Sequence, residues 1–263
     1  MASITVVFAA LFGLVFGSFL NVVIHRLPRD LSLTRPPSSC PGCGARIKPY
    51  DNIPVLSFLI LRGRCRSCGR KISPEYPAVE ALTAAGFLLV HFYVGPAFGL
   101  DFIAGAVFTC ALVALGFIDY HHQILPDAIT LPGLVLALVY AFARGGPAFR
   151  SALLGAVGGA GFLLVVYAGY FLVRKKEGLG MGDVMMMLMV GAYLGPLRTL
   201  LVLILGSFVG ALVGVTIMVR KGKDAQFALP FGAFLAPAAF VAMLWGEKIV
   251  GIYKDYLSSR LGS

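Results

Sequence analysis

The chain has 263 residues, 59% of them hydrophobic and 13% charged, with a net charge of +10 and a mean hydropathy of +0.88. That much apolar surface exceeds what a soluble core of this size can hide, so the composition excludes an ordinary soluble domain and demands lipid. In that setting the positive charge points to anionic lipid headgroups and not to nucleic acid.

Apolar runs recur at roughly 4–24, 76–94, 100–118, 128–143, 151–173, 184–197, 199–219 and 228–246. Most approach the roughly 20 residues that cross about 30 Å of hydrocarbon at about 1.5 Å per helical residue. The expectation is therefore an all-α polytopic integral membrane protein of about eight transmembrane helices, with the 184–197 run short for a full crossing. Residues 1–24 have no charged start, and Asn21, His25 and Arg26 stand where a cleavable signal would carry small residues; they read as a permanent span.

Residues 25–75 are the one long polar stretch, punctuated by Pro28, Pro36, Pro37, Pro41, Pro49, Pro54 and Pro74. They hold ten of the 22 Lys/Arg residues. With eight spans, Arg174, Lys175, Lys176, Arg220, Lys221 and Lys223 fall on the same side, against six basic residues opposite. The positive-inside rule then places this loop in the cytoplasm and both chain ends outside.

Within the loop, Cys40-Pro41-Gly42-Cys43 and Cys65-Arg66-Ser67-Cys68 are two C-x-x-C pairs separated by 21 residues. Each pair suits a turn that aims two sulfurs at one point, and together they suit tetrahedral zinc. Two disulfides are the alternative, disfavoured in a reducing cytoplasm. A closed four-thiolate site has no open coordination position, so the expected zinc is structural: it folds a segment with few large apolar side chains. Residues 25–75 thus form a small zinc-binding cytoplasmic loop domain, and 76–263 a polytopic membrane domain.

There are only twelve acidic residues, so those at span boundaries stand out. Asp119 ends the third run in Gly116-Phe117-Ile118-Asp119-Tyr120-His121-His122, and Asp183 opens the sixth in Gly178-Leu179-Gly180-Met181-Gly182-Asp183. One helix running inward to Asp119 and another leaving outward from Asp183 put both carboxylates at one boundary. Two carboxylates close together share a proton; such a pair can deprotonate a water while protonating a scissile carbonyl. Helix ends favour ionised Asp183 and protonated Asp119. Gly178, Gly180 and Gly182 let an extended substrate backbone approach. Helix capping is the plainer role for Asp183, and the default for the rival Asp127. Met185, Met186, Met187 and Met189 read as core or lipid-facing packing.

Gly17-Ser18-Phe19-Leu20-Asn21-Val22-Val23-Ile24-His25-Arg26-Leu27-Pro28, the two C-x-x-C pairs around Asp51-Asn52-Ile53-Pro54, and Tyr76-Pro77-Ala78-Val79-Glu80 resemble the N-terminal half of bacterial type IV prepilin peptidases. Ile118-Asp119 with Leu125-Pro126-Asp127, and Glu177 to Asp183, resemble their protease half. The resemblance implies a bifunctional enzyme of the inner membrane. It would cleave the basic leader of prepilins or pseudopilins, serving a type IV pilus or type II secretion, and then N-methylate the new N-terminus with S-adenosylmethionine. It also implies that Asp119 and Asp183 are catalytic. Two departures stand out: Met185 where the family often has lysine, and Pro74-Glu75 for a more usual aromatic and arginine. No motif places the methyl donor or specifies an oligomer. The alternatives are a peptidase without methyl transfer, and an ion-coupled transporter, which would favour mid-bilayer acids and matching halves.

Overall fold

A computed structural model describes residues 2–175, 179–221 and 229–261. Each of the eight apolar runs contributes a helix: α1 (Ala2–Arg26), α3 (Glu75–Tyr93), α4 (Leu100–His122), α5 (Asp127–Ala143), α6 (Gly146–Arg174), α7 (Met181–Leu194), α8 (Pro196–Lys221) and α9 (Gly232–Leu261). A short helix α2 (Leu56–Ile60) lies in the polar loop. Helices α1, α4, α6, α8 and α9 are long and apolar enough to cross a membrane, while α5 and α7 are shorter apolar helices. Of the expected eight crossings, these five meet both length and composition. Helix α3 has 19 residues but carries Glu75, Glu80 and His91.

Two compact units divide the chain, residues 1–114 and 115–263. In the first, α1 and α3 pair antiparallel at steps of four residues. A Cβ on Gly17 would lie 2.6 Å from the Glu80 Cα, Gly13 abuts the Ala84 backbone, and Asn21 Nδ2 donates to the Tyr76 carbonyl at 3.0 Å. Lipid supplies no hydrophobic drive for helices to associate, so small residues that let backbones touch do that work. Phe87 packs against both Phe16 and Phe102, which extends the seam.

Between α1 and α3 the polar loop builds two matching knuckles. Cys40 N–H donates to Ala45 O and Gly44 N–H to Cys40 O; Cys65 N–H donates to Arg70 O and Gly69 N–H to Cys65 O, all at 2.8–2.9 Å. Gly44 and Gly69 both sit at φ +71, a left-handed turn that suits glycine and explains the C-x-x-C-G pattern in each knuckle. Arg66 forks onto Asp51 with contacts of 2.6 and 3.0 Å and lies over the Tyr50 ring, tying the second knuckle to the segment before α2. The guanidinium holds the Asp51 carboxyl below its usual range.

In the second unit α7 is the central helix. It runs parallel to α5, where Gly133 receives the Met189 thioether, and antiparallel to α6, where Gly155 and Gly191 meet so closely that a methyl on either would overlap the other's carbonyl. Ala137, Ala156 and Ala192 form the small-residue core between these three helices. Met186, Met187 and Met189 are buried, so the methionine run is core. Helix α7 stops at Gly195, whose φ of +77 permits the turn into Pro196 at the first position of α8. Glycines 206, 210 and 214 of α8 receive Leu235, Phe234 and Leu229 as α9 packs antiparallel against it.

Gly155→Ala is expected to lower unfolding stability in mixed micelles by about 1–3 kcal/mol through overpacking at Gly191 and Gly195. Gly158→Ala, with open space around it, is expected to leave stability unchanged or slightly raised.

Candidate active site

Asp119 lies on the last turn of α4, where that helix meets the start of α9 running the opposite way: Gly116 approaches Ala236 and Asp119 approaches Gly232. Its Oδ2 accepts the Ala233 N–H at 2.8 Å. A helix N-terminus leaves N–H groups without intrahelical partners, so a carboxylate placed there satisfies one of them and sits at the positive end of the dipole. Asp183 does the same for its own helix. As the third residue of α7 it turns back, and Oδ2 accepts the Gly180 N–H at 3.2 Å.

The capping role expected of an isolated boundary aspartate is therefore real, but it uses one oxygen only. Asp183 Oδ1 is buried and has no hydrogen-bond partner among the described residues. Both residues are buried, Asp119 at 5% exposure and Asp183 at 7%, and Asp119 lies close enough to act electrostatically on Asp183. Asp119, on the last turn of α4, also meets the N-terminus of α9, so a helix dipole favours the ionised form of either carboxylate.

Leu125 links the two positions. It lies 2.9 Å from where a Cβ on Gly182 would stand and equally close to one on Gly232, which would itself fall 3.0 Å from Asp119 Oδ2. Gly182 thus admits Leu125. A Cβ on Gly180 would face Asp183 Oδ2 at 3.3 Å. Gly178 lies outside the described residues. Asp127, on the first turn of α5, is exposed, and the N-cap position before it is Pro126. Gly232, Ala233 and Leu125 were not among the expected site residues; Pro230-Phe231-Gly232 before an apolar run marks a helix start, and Leu125 stood only as part of Leu125-Pro126-Asp127.

The four cysteines of the polar loop form a second site. Their sulfurs all lie within 4.8 Å of one another, with Cys40 and Cys68 3.9 Å apart. Four ligands at about 2.3 Å from a tetrahedral metal stand about 3.8 Å apart, so the set fits a zinc-sized ion. Gly42 N–H approaches Cys40 Sγ at 3.4 Å, and amides of Gly42 and Cys43 hold that thiol down at about 6, where it offers thiolate readily.

Residues 11–94 match the Bacterial Peptidase A24 N-terminal domain, and residues 106–215 match the Type IV leader peptidase family. The chain is 38% identical to the prepilin leader peptidase/N-methyltransferase of Pseudomonas aeruginosa, over 94% of its own length and 92% of that protein. For the namesake from Aeromonas hydrophila the figures are 39%, 92% and 91%, and for that from Stutzerimonas stutzeri 40%, 94% and 93%. The chain belongs to the prepilin leader peptidase/N-methyltransferase family. No solved structure matches it. The first family domain covers α1 from residue 11, the cysteine loop and α3; the leader peptidase domain contains both Asp119 and Asp183.

Cobalt(II) added to the reduced, metal-free protein is expected to give the absorption of tetrahedral thiolate coordination at one ion per chain. Affinity should fall as pH is lowered, because protons compete for the thiolates; absorption that is unchanged in Cys40→Ser would remove that residue from the ligand set.

Proposed function

We propose that this chain cleaves the basic leader of type IV prepilins or pseudopilins with Asp119 and Asp183 and then N-methylates the exposed N-terminus. The observation that carries the proteolytic half is the pair of buried carboxylates, each tied through one oxygen to a helix N-terminal amide, with Asp183 Oδ1 left free. Fixed donors on Oδ2 leave the opposite oxygens for chemistry. One carboxylate takes a proton from water as the water oxygen attacks the scissile carbonyl carbon. The other, protonated, gives its proton to the carbonyl oxygen. Collapse of the tetrahedral species breaks the C–N bond and returns a proton to the departing amine. Burial excludes bulk water and strengthens each of these electrostatic contacts.

The substrate backbone lies beside Gly178 and Gly180, and Gly182 contributes by letting Leu125 close the floor between the two aspartates. Cleavage at the membrane boundary leaves the apolar stem of the prepilin in lipid, and holding the scissile bond against both carboxylates lowers the entropic cost of attack. The excess of Lys/Arg in 25–75, 174–176 and 220–223 supports a bacterial inner-membrane orientation with the cysteine loop and both aspartates facing the cytoplasm. Cys40, Cys43, Cys65 and Cys68 hold a structural zinc that folds the 25–75 domain, which we associate with methyl transfer, while 76–263 carry out proteolysis. S-adenosylmethionine supplies the methyl group: the amine nitrogen forms the new N–C bond, the sulfonium S–C bond breaks, and the amine loses a proton.

Purified protein incubated with a prepilin-like peptide and S-adenosylmethionine is expected to yield, by mass, loss of the leader and gain of one methyl. Asp119→Ala and Asp183→Ala should each lower cleavage by more than the roughly 10²–10³-fold typical of losing one hydrogen-bond donor; full cleavage in either variant rejects the dyad. Gly232→Val, which drives a side chain against Asp119 Oδ2 and Leu125, should reduce kcat more than it raises KM.

A further inference from the structure

The loop between the two cysteine knuckles carries an apolar edge that the active site does not use. Ile53 is 45% exposed, Leu56 50%, Leu59 64% and Ile60 65%, and Arg62 and Arg64 follow directly, both exposed. Four large apolar side chains on a short segment would be costly in open water, but the depth of this segment is set by hydrogen bonds to the membrane helices. Glu80 Oε2 accepts the Val55 N–H at 2.7 Å, and the Ser18 hydroxyl donates to the same carboxylate. Glu80 is the sixth residue of α3, about 7 Å past its start at about 1.5 Å per residue. Val55 is therefore drawn down beside the first turns of α3 and level with Ser18 of α1, where Phe19 and Leu82 already present exposed apolar side chains.

Val55 is bent to do this. Its φ of +59 and ψ of −48 form a tight three-residue turn, closed by Leu56 N–H on the Pro54 carbonyl at 2.5 Å. A β-branched residue adopts such a backbone only where its surroundings hold it there, and the buried Glu80 carboxylate is that hold. The turn aims α2 outward immediately after the anchor, and Ser57, which accepts the Ile53 N–H and donates to the Tyr50 carbonyl, keeps the segment compact.

We infer that the Ile53–Ile60 edge is a membrane-interface wedge: Leu56, Leu59 and Ile60 enter the headgroup–acyl boundary of the leaflet beside the cysteine loop, and Arg62 and Arg64 engage anionic lipid headgroups. The partner is a phospholipid surface, chosen by the depth of the anchor, the continuity with the exposed Phe19 and Leu82 of α1 and α3, and the charge complementarity of the two arginines.

The test uses the full chain in nanodiscs. Trp245 is the single tryptophan; in a Trp245→Phe background, Leu59→Trp or Ile60→Trp reports depth through quenching by bromine carried on the acyl chains of phosphatidylglycerol. Emission from either position should be lost with bromines near the headgroup end and retained more with bromines near the chain terminus, while Ser67→Trp, exposed on the second knuckle, should keep its emission with both. Arg62→Glu with Arg64→Glu should weaken the shallow quenching in phosphatidylglycerol discs. Emission untouched by either bromine position overturns the wedge: a blue-shifted maximum would assign the edge to a protein contact, such as the prepilin, and a red-shifted one would leave it in water. Cobalt(II) absorption measured on the same samples verifies that the cysteine loop is folded in each variant.

Discussion

A bilayer offers a backbone amide no hydrogen-bond partner, and that constraint organises this protein. Within hydrocarbon every N–H must be satisfied by its own helix, so free amides collect at helix starts near the boundary. Asp119 and Asp183 are placed where such amides exist, at the starts of α9 and α7. Each carboxylate therefore has a fixed partner for one oxygen, and its orientation follows from helix geometry instead of from a network of polar side chains that a membrane protein of this composition lacks.

Close packing of glycine and alanine carries that precision through the second unit. The start of α7 is held in place because its middle is gripped on two sides, by α5 at Gly133 and Met189 and by α6 at Gly155 and Gly191. Bulky side chains at these seams would separate the helices by ångströms, and the capping oxygen of Asp183 would move with them. The buried methionines fill the remaining irregular gaps with flexible chains that tolerate such tight backbones.

The cysteine loop solves a different problem. It has too few large buried side chains to fold by hydrophobic collapse, and its described contacts are local turns, the Arg66–Asp51 fork and the Glu80–Val55 anchor. Four sulfurs converging within 4.8 Å supply the missing cross-link when a metal is bound. The Glu80 anchor ties the loop to α1 and α3, so it is not a freely tethered domain.

Much of this was legible in the chain itself. Apolar run lengths specified eight helices because lipid tolerates little else; the two C-x-x-C pairs specified two knuckles because each spacing suits a turn that aims two sulfurs at one point; and scarcity of acids singled out Asp119 and Asp183. What tertiary structure alone decided depends on residues distant in sequence. Leu125 rather than open space lies against Gly182, the amides of α9 reach Asp119 from 114 positions away, and Glu80 bends Val55. Local periodicity and motif spacing carry no record of which helix start meets which carboxylate, because that is settled by the packing of glycine seams between helices.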